Sequence, residues 1–86
     1  MKRNKPFWTA VRQWNDNFFR RMGVECTVIE TSTARLKDFL GDAHCVAAED
    51  SDDGSYRIAS FERDDGTVFC VIIAGAEALI YQAQSI

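Results

Sequence analysis

The feature that most constrains the fold is a short apolar run late in the chain, at residues 67–74. Turn-forming residues enclose this run, with Asp64, Asp65 and Gly66 before it and Gly75 after it, and the pattern predicts a buried central strand. Successive side chains of a strand point to opposite faces, so both faces of this strand are apolar and need cover from a helix, a second sheet or a partner chain. The two faces are Val68, Cys70 and Ile72 on one side, and Phe69, Val71 and Ile73 on the other.

A chain of 86 residues, 47% of them hydrophobic and 27% charged, is typical of one small folded domain. We expect that domain over residues 6–86, preceded by a basic flexible tail at residues 1–5. The longest apolar run, at residues 68–76, is far shorter than the roughly 20 residues of a membrane-spanning helix, so we expect no membrane partner. No apolar signal segment follows the first basic residues, which favours a cytoplasmic location.

Apolar residues recur near the start of the chain at helical spacing, four, three, four and four residues apart. Pro6 suits the first position of a helix, and Gly23 suits the position just after its end. The pattern predicts an amphipathic helix over residues 6–22 that packs a narrow apolar stripe against one face of the sheet. This stripe, here called the first stripe, consists of Phe7, Val11, Trp14, Phe18 and Met22.

A second stripe follows the same spacing about a quarter turn round the helix, and it consists of Trp8, Arg12, Asn15 and Phe19. The helix therefore carries two aromatic residues more than a single packing face requires. One interpretation is a wide buried face, as in a helix that packs on a sheet in a small domain. The other is a partner-binding or dimer surface, because aromatic residues beside arginine are typical of interaction hot spots.

The rest of the chain predicts short strands and one more helix. Turns rich in aspartate and glycine separate the strands, so we expect an antiparallel meander in the C-terminal half. Residues 76–84 are ambiguous, because their alternation favours a strand whereas their alanines and glutamines favour a helix; we prefer the strand. The predicted elements are a strand over residues 24–31, a helix over 34–40, strands over 44–49, 56–63 and 67–74, and a last strand over 76–84.

Together these elements predict an α+β fold. The N-terminal amphipathic helix and the short second helix would pack on a mainly antiparallel sheet of three to five strands. The first helix would cover one face of the central strand. The second helix or a second copy of the protein would cover the other face, and the shortage of helices favours a homodimer.

Residues able to bind a metal or to act as nucleophiles are few and poorly spaced. No two cysteines have the Cys-x-x-Cys spacing of a zinc site, and their odd number favours reduced thiols, as expected in the cytoplasm. The acidic run at residues 50–54 fails the calcium-loop pattern, since glycine occupies its fifth position where an oxygen ligand is needed. We therefore expect no cofactor, no metal and no enzymatic activity. The residues that such sites would use are Cys26, His44, Cys45 and Cys70.

Charge is unevenly distributed along the chain. Residues 1–22 contain six basic residues and one acidic residue, a net charge of +5, whereas residues 23–86 contain four and twelve, a net charge of −8. A basic helix lying beside an acidic sheet would explain the division within one molecule. Alternatively, the basic and the acidic residues could form two separate patches that bind two kinds of partner.

We expect a non-enzymatic module that binds a larger protein, as an adaptor or an inhibitor, and that forms a homodimer. The alternative is a nucleic-acid-binding accessory protein that uses the basic tail and the first helix. The partner surface would combine the second stripe with acidic turn residues, namely Trp8, Arg12, Asn15 and Phe19 with Asp50, Asp52 and Asp53. The nucleic-acid contacts of the alternative would be Lys2, Arg3, Lys5 and Arg12.

Overall fold

Five antiparallel strands form the centre of the protein, and one helix lies on each face of the sheet, in the computed structural model that describes residues 5–84. The α+β fold predicted from the sequence is confirmed. Residues 1–4 of the predicted basic tail lie outside the described residues, and Lys5 already belongs to the first helix. The elements are α1 (Lys5–Met22), β1 (Thr27–Ser32), a 3₁₀ turn (Thr33–Arg35) that leads into α2 (Leu36–Leu40), β2 (His44–Asp50), β3 (Arg57–Glu62), β4 (Thr67–Ala74) and β5 (Glu77–Gln84).

The strands lie side by side in the order β1-β5-β4-β3-β2. The apolar run forms β4, the middle strand of the sheet, as its composition predicts. The ambiguous last segment is also a strand, because β5 pairs with the whole of β4, from Ala74 opposite Glu77 to Thr67 opposite Gln84. The preference for a strand in this segment is therefore confirmed, and it completes an antiparallel meander of β2, β3, β4 and β5.

A tight turn joins β3 to β4. Arg63 N donates to Thr67 O at 2.9 Å across this turn, and Gly66 has a φ of +91°. That φ lies in the left-handed region, where glycine avoids the steric penalty of a side chain, so the Asp-Gly turn predicted here is confirmed. The Asp65 carboxylate accepts a hydrogen bond from Thr67 N at 2.9 Å, and this bond lowers the pKa of the Asp65 carboxyl.

Each face of the sheet has its own apolar core, because the side chains of β4 and β5 alternate between the two faces. α1 covers one face. The short α2 covers the other, which is one of the two coverings that the sequence predicts for it. The buried clusters are Trp8, Ile72, Leu79 and Tyr81 on the α1 side, and Leu40, Phe69, Val71 and Ile80 on the α2 side.

The rotation of α1 about its own axis differs from the prediction. The first stripe is expected to pack on the sheet, but Trp14 is 62% exposed, Phe18 45% and Met22 59%. The second stripe faces the sheet instead, where Trp8 is 7% exposed and Asn15 5%. The prediction that the first stripe forms the packing face is therefore wrong for the last three of its five members, Trp14, Phe18 and Met22.

A buried hydroxyl explains this rotation. Tyr81 is 2% exposed, and its hydroxyl lies 2.9 Å from Asp16 Oδ1 and 3.2 Å from the backbone oxygen of Arg12, either of which accepts its proton. If the first stripe faced the sheet, Asp16 would point to solvent and leave a buried donor unpaired, at a cost of about 1–3 kcal/mol. Asn15 is tolerated under the helix because its Nδ2 donates to Val11 O at 2.8 Å.

Arg63 connects α2 to the sheet. Its Nη2 donates to Phe39 O at 2.7 Å and its Nε donates to Leu40 O at 3.2 Å. These carbonyls lie in the last turn of α2, where backbone oxygens have no partner within the helix. The guanidinium also lies over the ring of Phe69, 4.9 Å from the centroid, so one side chain joins the end of α2 to the core of β4.

Replacing Arg63 with alanine is expected to lower the free energy of unfolding by about 1.5–3 kcal/mol, because two charge-assisted hydrogen bonds to carbonyls are lost. Arg35→Ala is the matched control. Arg35 lies 3.4 Å from Asp38 at the exposed surface, and loss of such a pair costs at most about 0.5 kcal/mol. Denaturant titration followed by circular dichroism measures both, and equal losses would contradict the role given to Arg63.

Candidate functional site

Three large apolar side chains form a row on the solvent side of α1, and this row of Trp14, Phe18 and Met22 is here called the α1 ridge. The rings of Trp14 and Phe18 stack, with 5.7 Å between centroids and 8° between planes. Full burial of one such side chain is worth about 1.5–3 kcal/mol relative to exposure. The ridge is therefore the part of the α1 surface that gains most from contact with another molecule.

An apolar groove lies beside the ridge, between the N-terminal half of α1 and β3. It has a volume of about 460 Å³. Trp14 belongs both to the ridge and to the wall of this groove, so the two form one continuous surface. This α1–β3 groove is lined by Phe7, Ala10, Val11, Trp14 and the predicted partner residue Asn15 on the helix side, and by Tyr56, Ile58 and Ile72 on the sheet side.

The groove exists because α1 crosses the sheet obliquely. Near the start of the helix, the ring of Phe7 lies 5.8 Å from that of Tyr56, beside β3. Near its end, the ring of Phe19 lies 5.2 Å from that of Tyr81 in β5. The helix thus moves away from β3 along its length, and every residue of β2 is exposed. Part of one sheet face therefore remains open next to the ridge.

A smaller hollow continues the groove toward the turn between β2 and β3. It has a volume of about 260 Å³ and shares Tyr56 and Ile58 with the groove. Here the lining changes from apolar to acidic. The combined site can therefore receive an apolar group at one end and a cation at the other. The residues that line only the hollow are Glu49, Asp50, Ser51 and Asp52.

Two of the three acidic residues predicted to contact a partner have structural partners of their own. Asp50 accepts hydrogen bonds from Arg57 Nε and Nη2 at 2.7 and 3.2 Å, which lower the pKa of Asp50. Asp53 Oδ1 accepts from Ser55 Oγ, Ser51 Oγ and Ser55 N at 2.7, 2.8 and 3.0 Å. These bonds lower the pKa of Asp53 to about 2, and they hold the turn in shape.

Asp52, the third predicted acidic residue, lines the hollow and is exposed. Glu49 lines it as well, and the sequence analysis missed this residue. Pairing could have indicated it, because Glu49 lies opposite Ile58 across the β2–β3 ladder and therefore shares its face. That signal becomes readable only once the register between the two strands is known.

The second stripe, predicted to contact a partner, lies mostly beneath α1. Trp8 and Asn15 are buried and Phe19 is half-buried, so these three residues belong to the face of α1 that packs on the sheet. Arg12 is exposed, and its Nε lies 3.8 Å from Asp16 Oδ2. The exposed aromatic residues of the helix are instead those of the ridge, which the sequence analysis missed as a surface because their spacing is equally typical of a packing stripe.

Two of the four residues predicted to contact nucleic acid, Lys5 and Arg12, lie seven residues apart on the same side of α1. Lys2 and Arg3 lie outside the described residues. Lys5 begins α1, and Arg12 lies about two turns further along beside the carboxylate of Asp16. The other basic residues of the helix, Arg20 and Arg21, lie in its last turn, about 22 Å from Lys5 along the axis at 1.5 Å per residue.

Cys26 and Cys70 both pack against the core on the α1 side, close enough for their thiols to interact electrostatically. Burial raises the pKa of the Cys26 and Cys70 thiols, which disfavours the reactive thiolate. Cys45 is exposed, next to His44 on β2. Among residues 5–84, no group of three or more His, Cys, Asp and Glu side chains is placed to hold a metal ion.

No protein-family model matches the chain, and neither a curated protein nor a solved structure matches it. No helix within residues 5–84 is long and apolar enough to cross a membrane.

The two tryptophans provide a direct test of how α1 is rotated. Trp8→Ala is expected to lower the free energy of unfolding by about 3–5 kcal/mol, because it opens a cavity between helix and sheet. Trp14→Ala is expected to lower it by no more than about 1.5 kcal/mol, because that side chain is mostly exposed and loses little besides its stacking on Phe18. Urea titration followed by circular dichroism measures both changes. A larger loss from Trp14→Ala than from Trp8→Ala would contradict the rotation.

Tyr81→Phe is expected to flatten the decline of stability at high pH. Burial, together with the hydrogen bond to Asp16, raises the pKa of Tyr81 above its ordinary value near 10. The folded protein thus holds this proton more tightly than the unfolded chain. Its contribution is complete below about pH 10 and is lost as the pH rises beyond that value. Unfolding measured from about pH 8 to about pH 11 should show a steeper fall for wild type than for the variant, and parallel curves would contradict this.

Proposed function

We propose that the protein is a small non-enzymatic module that binds a larger protein, as an adaptor or an inhibitor, through the α1 ridge and the groove beside it. The observation that carries this proposal is the stacked and exposed pair of Trp14 and Phe18 at the wall of an apolar groove of about 460 Å³. The three free cysteines, Cys26, Cys45 and Cys70, favour the cytoplasm as the place where the protein acts.

The shape of the surface favours a polypeptide over a small molecule as the ligand. The ridge projects and the groove recedes, so a ligand that buries both must span a continuous apolar strip along α1. Tryptophan and arginine are among the residue types that contribute most to binding at protein interfaces. Exposed Arg21 lies one turn from Phe18, in the last turn of the helix, so both residue types are present beside the ridge.

The acidic hollow supports a partner that carries a basic residue beside its apolar anchor. Glu49 and Asp52 would attract a cation at close range, and the net negative charge of residues 23–86 would attract it from a distance. Charge of this kind increases the rate of association, whereas the apolar ridge and groove supply most of the affinity. Binding should therefore weaken moderately with salt and should not depend on nucleic acid.

Affinity capture from a lysate of the natural host, treated with nuclease at moderate salt, tests this proposal. The tagged wild-type protein is expected to retain a larger protein in stoichiometric amount. Trp14→Ala/Phe18→Ala is expected to lose it. Thr9→Ala/Gln13→Ala is the matched control and should retain it, because both residues are exposed on the side of α1 away from the ridge.

Three outcomes would contradict the proposal. The first is equal retention of the larger protein by both variants, which would separate binding from the ridge. The second is recovery of nucleic acid that disappears with nuclease or with salt, which would favour the basic residues of α1 as contacts to phosphate. The third is recovery of the protein itself and nothing else, which would leave no larger partner for the surface to bind.

A further inference from the structure

We infer that, in the absence of another partner, the α1 ridge of one molecule occupies the α1–β3 groove of a second copy, in a homodimer with two-fold symmetry. The inference rests on the proposed function, since it assigns a specific partner to the same surface. Three properties support this dimer: the self-complementary shape of the surface, the residues that face each other when two copies of α1 pack antiparallel, and the placement of the charges.

The surface has the shape that a two-fold contact requires. Each copy presents the same residues in such an interface, so the patch must contain both a projection and a matching recess. Trp14 belongs to both, as a member of the ridge and as part of the groove wall. A two-fold axis beside Trp14 therefore directs each ridge into the groove of the other copy.

The helical register places a small residue where space is needed. When two antiparallel helices cross at Trp14, residues at equal distances from it lie opposite each other. Phe18 then lies opposite the partner's Ala10, about 6 Å from the axis at 1.5 Å of rise per residue. Ala10 is exposed and lines the groove, and its small side chain leaves room for the phenyl ring.

The same register brings opposite charges together. Arg21, which lies on the groove side of α1, falls opposite the partner's Phe7. The ring of Phe7 is 5.8 Å from that of Tyr56, and Tyr56 lines the hollow together with Glu49 and Asp52. The basic end of each α1 thus approaches the acidic hollow of the other copy, and the symmetry repeats this contact.

A second copy of this chain therefore offers the two groups that the groove and the hollow can bind, an apolar side chain and a cation one turn away from it. Phe18 and Arg21 are three residues apart on α1, and both are exposed. The open edge of β2 is a less suitable contact, because a bulge between Cys45 and Ala47 interrupts its register. A larger protein that binds the ridge would have to displace the second copy.

Sedimentation velocity of the purified protein over a range of concentrations, with a charge swap, tests the inference. Wild type is expected to show a dimer that dissociates on dilution. Arg21→Glu and the double variant Glu49→Lys/Asp52→Lys are each expected to raise the dissociation constant by about tenfold, because reversal affects both copies. An equal mixture of the two should restore the wild-type value, since each new charge then meets its opposite.

Three further variants accompany the charge swap. Arg35→Glu makes the same change of net charge on the α2 side of the sheet and should leave the dimer unchanged. Trp14→Ala should abolish the dimer while circular dichroism shows the fold intact. Because Arg21→Glu opposes the dipole at the end of α1, Arg21→Gln is measured as well and should weaken the dimer less than Arg21→Glu.

A monomer at every concentration up to the millimolar range would overturn the inference, and so would a dimer that neither charge variant weakens or that the mixture fails to restore. None of these results bears on capture of a larger protein, which is measured separately. Conversely, a failed capture combined with a dimer that responds to the swap would overturn the larger-partner proposal alone.

Discussion

The hydrogen bond of the buried Tyr81 hydroxyl determines the rotation of α1, and the exposed surface of the protein depends on that rotation. β5, which carries Tyr81, lies between β1 and β4, so the pairing of two neighbours holds this hydroxyl under the helix. Asp16 provides its acceptor and must therefore face the sheet. Trp8 then lies beneath the helix, because it is within about a quarter turn of Asp16, and Trp14 lies on the exposed side of α1, about a third of a turn from Trp8.

The width of the sheet explains why that exposed side borders a groove. Strands lie about 4.8 Å apart, so five of them are roughly twice as wide as one helix of about 10 Å diameter. α1 therefore covers only part of its face, and its oblique course leaves β2 open. The open part has a mixed composition, with Ile58 and Tyr56 near the helix and Glu49 at the edge. An apolar groove with an acidic end follows from one helix lying on a sheet that is too wide for it.

Local patterns were sufficient to predict most of this fold. The β4 run, the Asp-Gly turn before it and the alternation of β5 each depend on residues close in sequence, and the structure confirms them. The rotation of α1 was not predictable in this way, because both stripes contain aromatic residues, three in the first and two in the second, and hydropathy favours the one without Arg12 and Asn15. The contact that decides between them joins Asp16 to Tyr81, across 65 positions of the chain. For the same reason, the sequence predicted the residue types of the site but not their arrangement. Aromatic residues on α1 and Asp52 in the acidic turn form one surface only in the folded chain.

A contact between two molecules best explains the uneven distribution of charge along the chain. A basic helix lying beside an acidic sheet would neutralise the division within one molecule, yet the four ion pairs named at the end of this paragraph each join two residues of the same segment, 1–22 or 23–86. Arg21 is exposed at the end of α1 on its groove side, and the carboxylates of Glu49 and Asp52 line the hollow beyond Tyr56. Opposite charges thus sit at the two ends of one apolar strip, an arrangement in which a second copy turned through 180° meets each end with its complement. The ion pairs in question are Arg12–Asp16, Arg35–Asp38, Arg57–Asp50 and Arg63–Asp42.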